Sequence, residues 1–370
     1  MRSQWLLGVA AVVVVIAIVL GARFAQHPRT VSDVAGSDEA STVPTDVALS
    51  ESAIEPEGSD DALCATYVRS KANSDADGAA DNPPVEDPFM TAARQRLLAS
   101  QSAENLISVA LIAHNDDTQR MRAITQAMST GRQNAVVVWS AVQMCDRPAE
   151  NLTCPTQDWE NELVKLDSEN SEVWIRLAAS TYERGDTAKA LDALRRASTA
   201  AESSDYWPET AAMLERAFDS AGGYSFPQRA ALALRYAASA LPAFSLYVSM
   251  CSKQSKVDAE WAQTCLDYGR LVERQGKTEI GIGIARSIQF AALEAMGDTG
   301  AAEEVEARKA QASRNQEAAA AFDGSFIFMT PRLFAEYLAA IREHGERAAV
   351  VQLNSELNRA ARQCSQQSAN

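Results

Sequence analysis

Histidine is scarce in this chain. There are three in 370 residues, His27, His114 and His344. None has a partner histidine at metal-ligand spacing, so a histidine-built metal centre is excluded. H-E-x-x-H, G-x-S-x-G, the phosphate loop and the three-glycine dinucleotide fingerprint are missing, and so is C-x-x-C. Their absence removes the motif-bearing metalloproteases, α/β-hydrolases, nucleotide enzymes, zinc ribbons and thioredoxin-like proteins. No cofactor is implied. His114 and His344 each stand at the end of a helical pattern, where the dipole favours them. Aromatic residues are few, at 6%, and no alternating run of β-branched and aromatic residues is bounded by turn signals. Basic residues fall short as well: net charge is -15, and no Lys or Arg stands between Arg29 and Arg69. A nucleic-acid partner needs a basic face to neutralise phosphates, so none is expected.

Apolar residues account for 46% of the chain, much of it alanine, the best helix former. The fold class is therefore all-α. The stretch WLLGVAAVVVVIAIVLGA, Trp5 to Ala22, carries no charge. As a helix it spans about 27 Å, enough to cross the hydrocarbon layer. A cleaved signal would need a small residue where Arg23 stands, which favours an uncleaved single-pass anchor. Basic residues on its two sides nearly balance, so they do not orient it. Residues 23–60 hold eight acids, from Asp33 to Asp60, and little apolar content. They read as a disordered acidic linker. A helical domain follows over 61–370.

Six cysteines remain: Cys64, Cys145, Cys154, Cys251, Cys265 and Cys364. Cys145 and Cys154 flank a Pro- and Asn-containing loop, and Cys251 and Cys265 flank a polar stretch between helical patterns. Each pair suits a disulfide across a helix–helix connection, which leaves Cys64 and Cys364 as the third candidate pair. The competing reading is six unrelated small core residues. Bridges require an oxidising compartment, which places the C-terminal domain in the periplasm of a bacterial envelope, anchored in the inner membrane.

From Met90 onward almost every segment has helical periodicity, about a dozen helices with short connections. Three corners share one design. YERGDTAKAL, LEAMGDTGAAEEV and IREHGERAAVVQL each end a helix at Gly185, Gly297 or Gly345. An acid follows at Asp186, Asp298 or Glu346, and a small or branched residue at Ala190, Ala302 or Val350. Glycine supplies the left-handed conformation that ends a helix, and the acid caps the next one. Gly131 is a looser fourth case. The glycines of EIGIGIARS, Gly281 and Gly283, read as a site of close helix packing. The aromatics of DYWPE and GSFIFMTPRLF read as core or corner packing.

The segment SEVWIRLAASTYERGDTAKALDALRRASTAAE resembles a tetratricopeptide repeat. Trp174, Leu177, Ala178 and Tyr182 stand at the packing positions of that motif's first helix. Gly185 forms its turn, and Ala190, Leu194 and Ala197 fit its second helix. The motif's late proline is replaced by Glu202. Trp261, Cys265 and Tyr268 open a second, poorer copy. The resemblance implies stacked antiparallel hairpins in a degenerate α-solenoid, with the clearest unit at 171–203. The expected function is a membrane-anchored scaffold, not an enzyme, that binds a protein or peptide partner in the envelope. No residue is singled out as its partner site. The alternative is an envelope enzyme, such as a glycan-acting hydrolase, whose paired carboxylates would converge in a cleft with raised pKa values.

Overall fold

A computed structural model describes residues 88–113, 116–145, 154–319, 327–328, 330–353 and 355. The membrane stretch, the acidic linker, His27, His114, Cys64 and Cys364 lie outside the described residues. Among the described residues there is no β-strand; the fold is all-α, as fourteen helices and a 3-10 turn. In chain order α1 is Pro88–Ser100, α2 Ala103–Ile112, α3 Asp117–Thr130, α4 Ala135–Cys145 and α5 Thr156–Leu166. Then come α6 Ser171–Glu183, α7 Thr187–Thr199, α8 Trp207–Ala221, α9 Phe226–Ala237 and α10 Phe244–Gln254. The last four are α11 Ala259–Gln275, α12 Glu279–Met296, α13 Thr299–Ala319 and α14 Pro331–His344. A further helical stretch runs over 346–353.

The helices begin where short polar side chains satisfy the first free amides. Ser102 accepts the N–H of Asn105 at 3.1 Å, Asp116 that of Gln119 at 2.9 Å, and Thr330 that of Leu333 at 3.1 Å. Thr91 lies one turn inside α1, which already starts at Pro88. Phe226–Gln254 is long and apolar enough to cross a membrane by composition alone. Its helix breaks after Ala237 and resumes at Phe244 beyond Pro242, giving two pieces of 12 and 11 residues. Each is too short to span a bilayer, and Tyr247, Met250 and Cys251 are buried in the protein core.

Neighbouring helices pair: α2 with α3, α6 with α7, α8 with α9, α11 with α12, and α12 with α13. One core joins α6, α7, α10, α11, α12 and α13 around Ile175, Leu194, Tyr247, Trp261, Cys265 and Ile288. Contacts do not follow chain order throughout. α7 packs on α11, skipping three helices, while α8 packs on α1, α2 and α14. Close approach of α11 and α12 depends on Gly269, where a Cβ would meet Gln289 Cγ at 2.7 Å and the Ala285 carbonyl at 2.8 Å. This corrects the reading of EIGIGIARS: Gly283 faces open space, and the glycine of the contact stands on the partner helix.

Candidate functional site

The residues of the repeat-like unit come together. Ala178, Ala190, Leu194 and Ala197 are fully buried between α6 and α7. Trp174 donates its indole N–H to the Ser168 carbonyl at 2.7 Å, and the Arg196 guanidinium lies 4.8 Å above its ring. Leu177 and Tyr182 sit at the edge of the unit, partly buried against the shared core. Tyr182 meets Trp261 edge-to-face at 6.2 Å, and its hydroxyl accepts a bond from Gln254 at 3.0 Å. α6 and α11 therefore meet through Tyr182 and Trp261.

The missing proline has a structural reason. The Glu202 N–H donates to the Glu169 carbonyl at 3.0 Å, and the Glu202 carbonyl accepts from Ser171 at 2.8 Å. A proline at 202 has no N–H to make the first bond. Asn170 completes this clip by bonding both the N–H and the carbonyl of Ser204 at 3.0 Å. The end of the hairpin is thus tied to its own beginning.

All three corner glycines have positive φ: 87° at Gly185, 79° at Gly297 and 85° at Gly345. The acids behave differently. Asp186 accepts the Lys189 N–H at 3.2 Å and Asp298 that of Ala301 at 3.1 Å, each capping its own following helix. Glu346 instead accepts the N–H of Glu279, at the start of α12, at 2.9 Å. Its backbone N–H donates to Lys277 at 2.8 Å, and Arg347 pairs with Glu279 at 3.1 Å. The buried small residue is Ala349 there, while Val350 is only half-buried. Gly131 has φ −102° and is no fourth corner; a Cβ on it would meet that of Ala103 at 2.6 Å.

A group of buried acids gathers where α6, α8 and α12 begin. Glu172 is 4% exposed and Asp205 6%. Glu172 Oε1 accepts hydroxyl bonds from Tyr268 at 2.9 Å and Ser203 at 3.3 Å, while its Oε2 has no hydrogen-bond partner. Asp205 accepts the Thr278 hydroxyl at 2.6 Å and the Trp207 N–H at 3.2 Å. Burial, reinforced by the neighbouring Asp205 charge, pushes the Glu172 carboxyl up to about 7. Burial likewise raises Asp205, Glu209 and Glu346. At neutral pH Glu172 is therefore divided between acid and carboxylate. Tyr206, next to it, adopts a left-handed φ of 56°, held by its hydroxyl bond to Asp167 and by its ring 5.2 Å from Trp139.

A second buried charge site joins α5 to α6. Glu160 contacts Arg176 at 3.2 Å and Arg184 at 3.5 Å, and accepts the Ser180 hydroxyl at 2.8 Å. Beside Arg184 lies a cavity of about 400 Å³, lined also by Cys154, Pro155, Thr156, Gln157 and Asp158. Cys145 and Cys154 are bonded to each other across the α4–α5 connection, and Cys251 and Cys265 across the α10–α11 connection. Among the described residues no cluster of three or more His, Cys, Asp or Glu side chains has metal-binding geometry.

Sequence reasoning passed over Glu172, Asp205 and Glu346 as a group, although each stands at a helix start where an acid is ordinary. Only the fold brings Asp205 within electrostatic reach of both Glu172 and Glu346. No protein-family model matches the chain, and no curated protein matches it, so the functional reading rests on this geometry.

Proposed function

We propose that this protein is a membrane-anchored scaffold of a bacterial envelope. Trp5–Ala22 holds it in the inner membrane, and a degenerate tetratricopeptide-like solenoid presents surfaces to a protein or peptide partner in the periplasm. The observation that carries the reading is the Tyr182–Trp261 contact, which couples two hairpins through the motif's own packing positions. The two disulfides suit an oxidising compartment. The polar groups inside are spent on joining helices: Asn170 closes a hairpin, Glu346 caps α12, and Glu160 binds α5 to α6.

The second reading is an enzyme built on Glu172 and Asp205, favoured by their mutual repulsion and by the raised Glu172 carboxyl. Against it stands their burial, since a catalytic carboxylate has to touch its substrate. The test is in-cell photo-crosslinking of the full-length chain, with the probe at exposed apolar positions such as Val257 and Met296. A scaffold yields a discrete crosslinked partner that persists in Glu172→Gln and Asp205→Asn variants. Turnover of an envelope glycan that is abolished by those variants, without a crosslinked partner, supports the enzyme instead.

A further inference from the structure

The two disulfides occupy unlike environments. Cys251 and Cys265 are both 0% exposed, within the core that joins α6, α7 and α10 to α13. Cys145 and Cys154 are half-buried, and Cys154 lines the cavity of about 400 Å³ beside α5. A thiol attacking a disulfide needs a path to the sulfur; Cys145 and Cys154 are both partly exposed, whereas Cys251 and Cys265 are not.

The charge around that cavity favours the exchange. α5 begins without a side-chain cap: Pro155 occupies the cap position and offers no polar group. Thr156 at its first turn directs its hydroxyl back to the Cys154 carbonyl at 3.4 Å. Among the described residues no side chain caps the positive end of α5 next to Cys154, and the partly exposed Arg184 guanidinium lines the same cavity. Asp158, also on the wall, is the opposing charge, and Arg184 shares its own charge with buried Glu160. A helix N-terminus and a guanidinium both stabilise a sulfur anion.

We propose that Cys145–Cys154 is a thiol-exchange site on the folded protein, open to an external dithiol, whereas Cys251–Cys265 is a permanent staple. The dithiol's thiolate attacks Cys145 Sγ, forming a mixed disulfide and expelling Cys154 as the thiolate, which the α5 terminus and Arg184 stabilise. The dithiol's second thiolate then attacks the sulfur it donated, releasing Cys145. The reagent ends as its disulfide and the protein as two thiols, a transfer of two electrons with two protons taken up at neutral pH.

The test is native reduction of the full-length chain with dithiothreitol, quenched with iodoacetamide over time and read by peptide mass spectrometry. Cys145 and Cys154 become alkylated together at least ten times faster than Cys251 and Cys265. Equal rates, faster loss of Cys251–Cys265, or no reduction of either pair before unfolding overturns the proposal. Arg184→Gln slows the first reduction several-fold, while Arg184→Lys keeps the charge and most of the rate. If Arg184→Gln disturbs folding, the exposed-cation control Lys189→Gln and the Arg184→Lys variant still decide: an Arg184→Lys rate as low as that of Arg184→Gln, both folded by circular dichroism, removes the electrostatic role and with it the proposed direction of attack.

Discussion

At the corner between α6 and α7, Asp186 accepts an amide of its own following helix, Lys189, three residues away. At the corner after α14, Glu346 reaches back 67 residues to the amide of Glu279. Both corners are written as glycine followed by an acid, and both glycines take positive φ. The glycine's role is local: the chain must reverse, and a residue without Cβ reverses it cheaply. The acid's role depends on what lies beside it. Open solvent at Asp186 leaves only its own helix to cap. At Glu346 the turn of α11–α12 lies alongside, and Gly345 is within about a van der Waals contact of it, with a Cβ placed 3.5 Å from the Gly276 and Lys277 carbonyls. A repeated local signal thus serves as a cap in one place and as a tie between distant segments in another.

Substitutions can break this comparison, beginning with the better-preserved side. Trp261→Ala removes the ring that couples α11 to Tyr182 of α6. A buried Trp truncation costs about 3–5 kcal/mol, seen as a large fall in melting temperature. A loss below about 1 kcal/mol would show that the hairpins are not coupled through this pair.

Gly185→Ala meets no atom within 4 Å and carries only the left-handed backbone cost, about 1–2 kcal/mol. Gly345→Ala loses more, because φ 85° with ψ 162° is a conformation essentially only glycine adopts. Chemical denaturation of the two variants side by side measures the difference, and equal losses would mean that the C-terminal corner is as free as the first.

The capping acids give a smaller effect and a change of sign. Asp186→Ala and Asp298→Ala each lose a cap, about 1 kcal/mol. Glu346→Gln keeps an oxygen for the Glu279 amide while removing a charge that burial disfavours, so at pH 7 it is neutral to stabilising. Destabilisation by Glu346→Gln comparable to that of Asp186→Ala would erase the distinction between the corners.

These contrasts explain how much could be read in advance. Helix class, the two local disulfides and the Gly185, Gly297 and Gly345 turns are encoded within a few residues of where they act. The same is true of the first repeat-like hairpin, whose Trp174, Ala178 and Ala190 follow helical spacing. What could not be read depends on distant pairing. Glu202 looked like a lapse from the motif until its amide was found bonded to Glu169. Gly281 and Gly283 looked like the close contact of α12, but the contact falls on Gly269 of α11. The acids were invisible as a group, because Asp205 comes within electrostatic reach of Glu172 and Glu346 only in the packed fold.

The central claim is that burial inside the fold raises the Glu172 carboxyl and so ties the protein's stability to its protonation. Its most direct test is the melting temperature of the wild type and of Glu172→Gln from pH 5 to pH 8. The Glu172 carboxyl is raised to about 7 in the folded protein from an ordinary 4.5. Between those values the folded state binds more protons than the unfolded state, so stability is greatest at the acid end and falls as pH rises toward 7. The wild type is therefore expected to melt higher at pH 5 than at pH 8, and Glu172→Gln to lose most of that slope while gaining stability at pH 8. A wild-type curve that rises with pH over this window, or a Glu172→Gln curve parallel to it, would contradict the account.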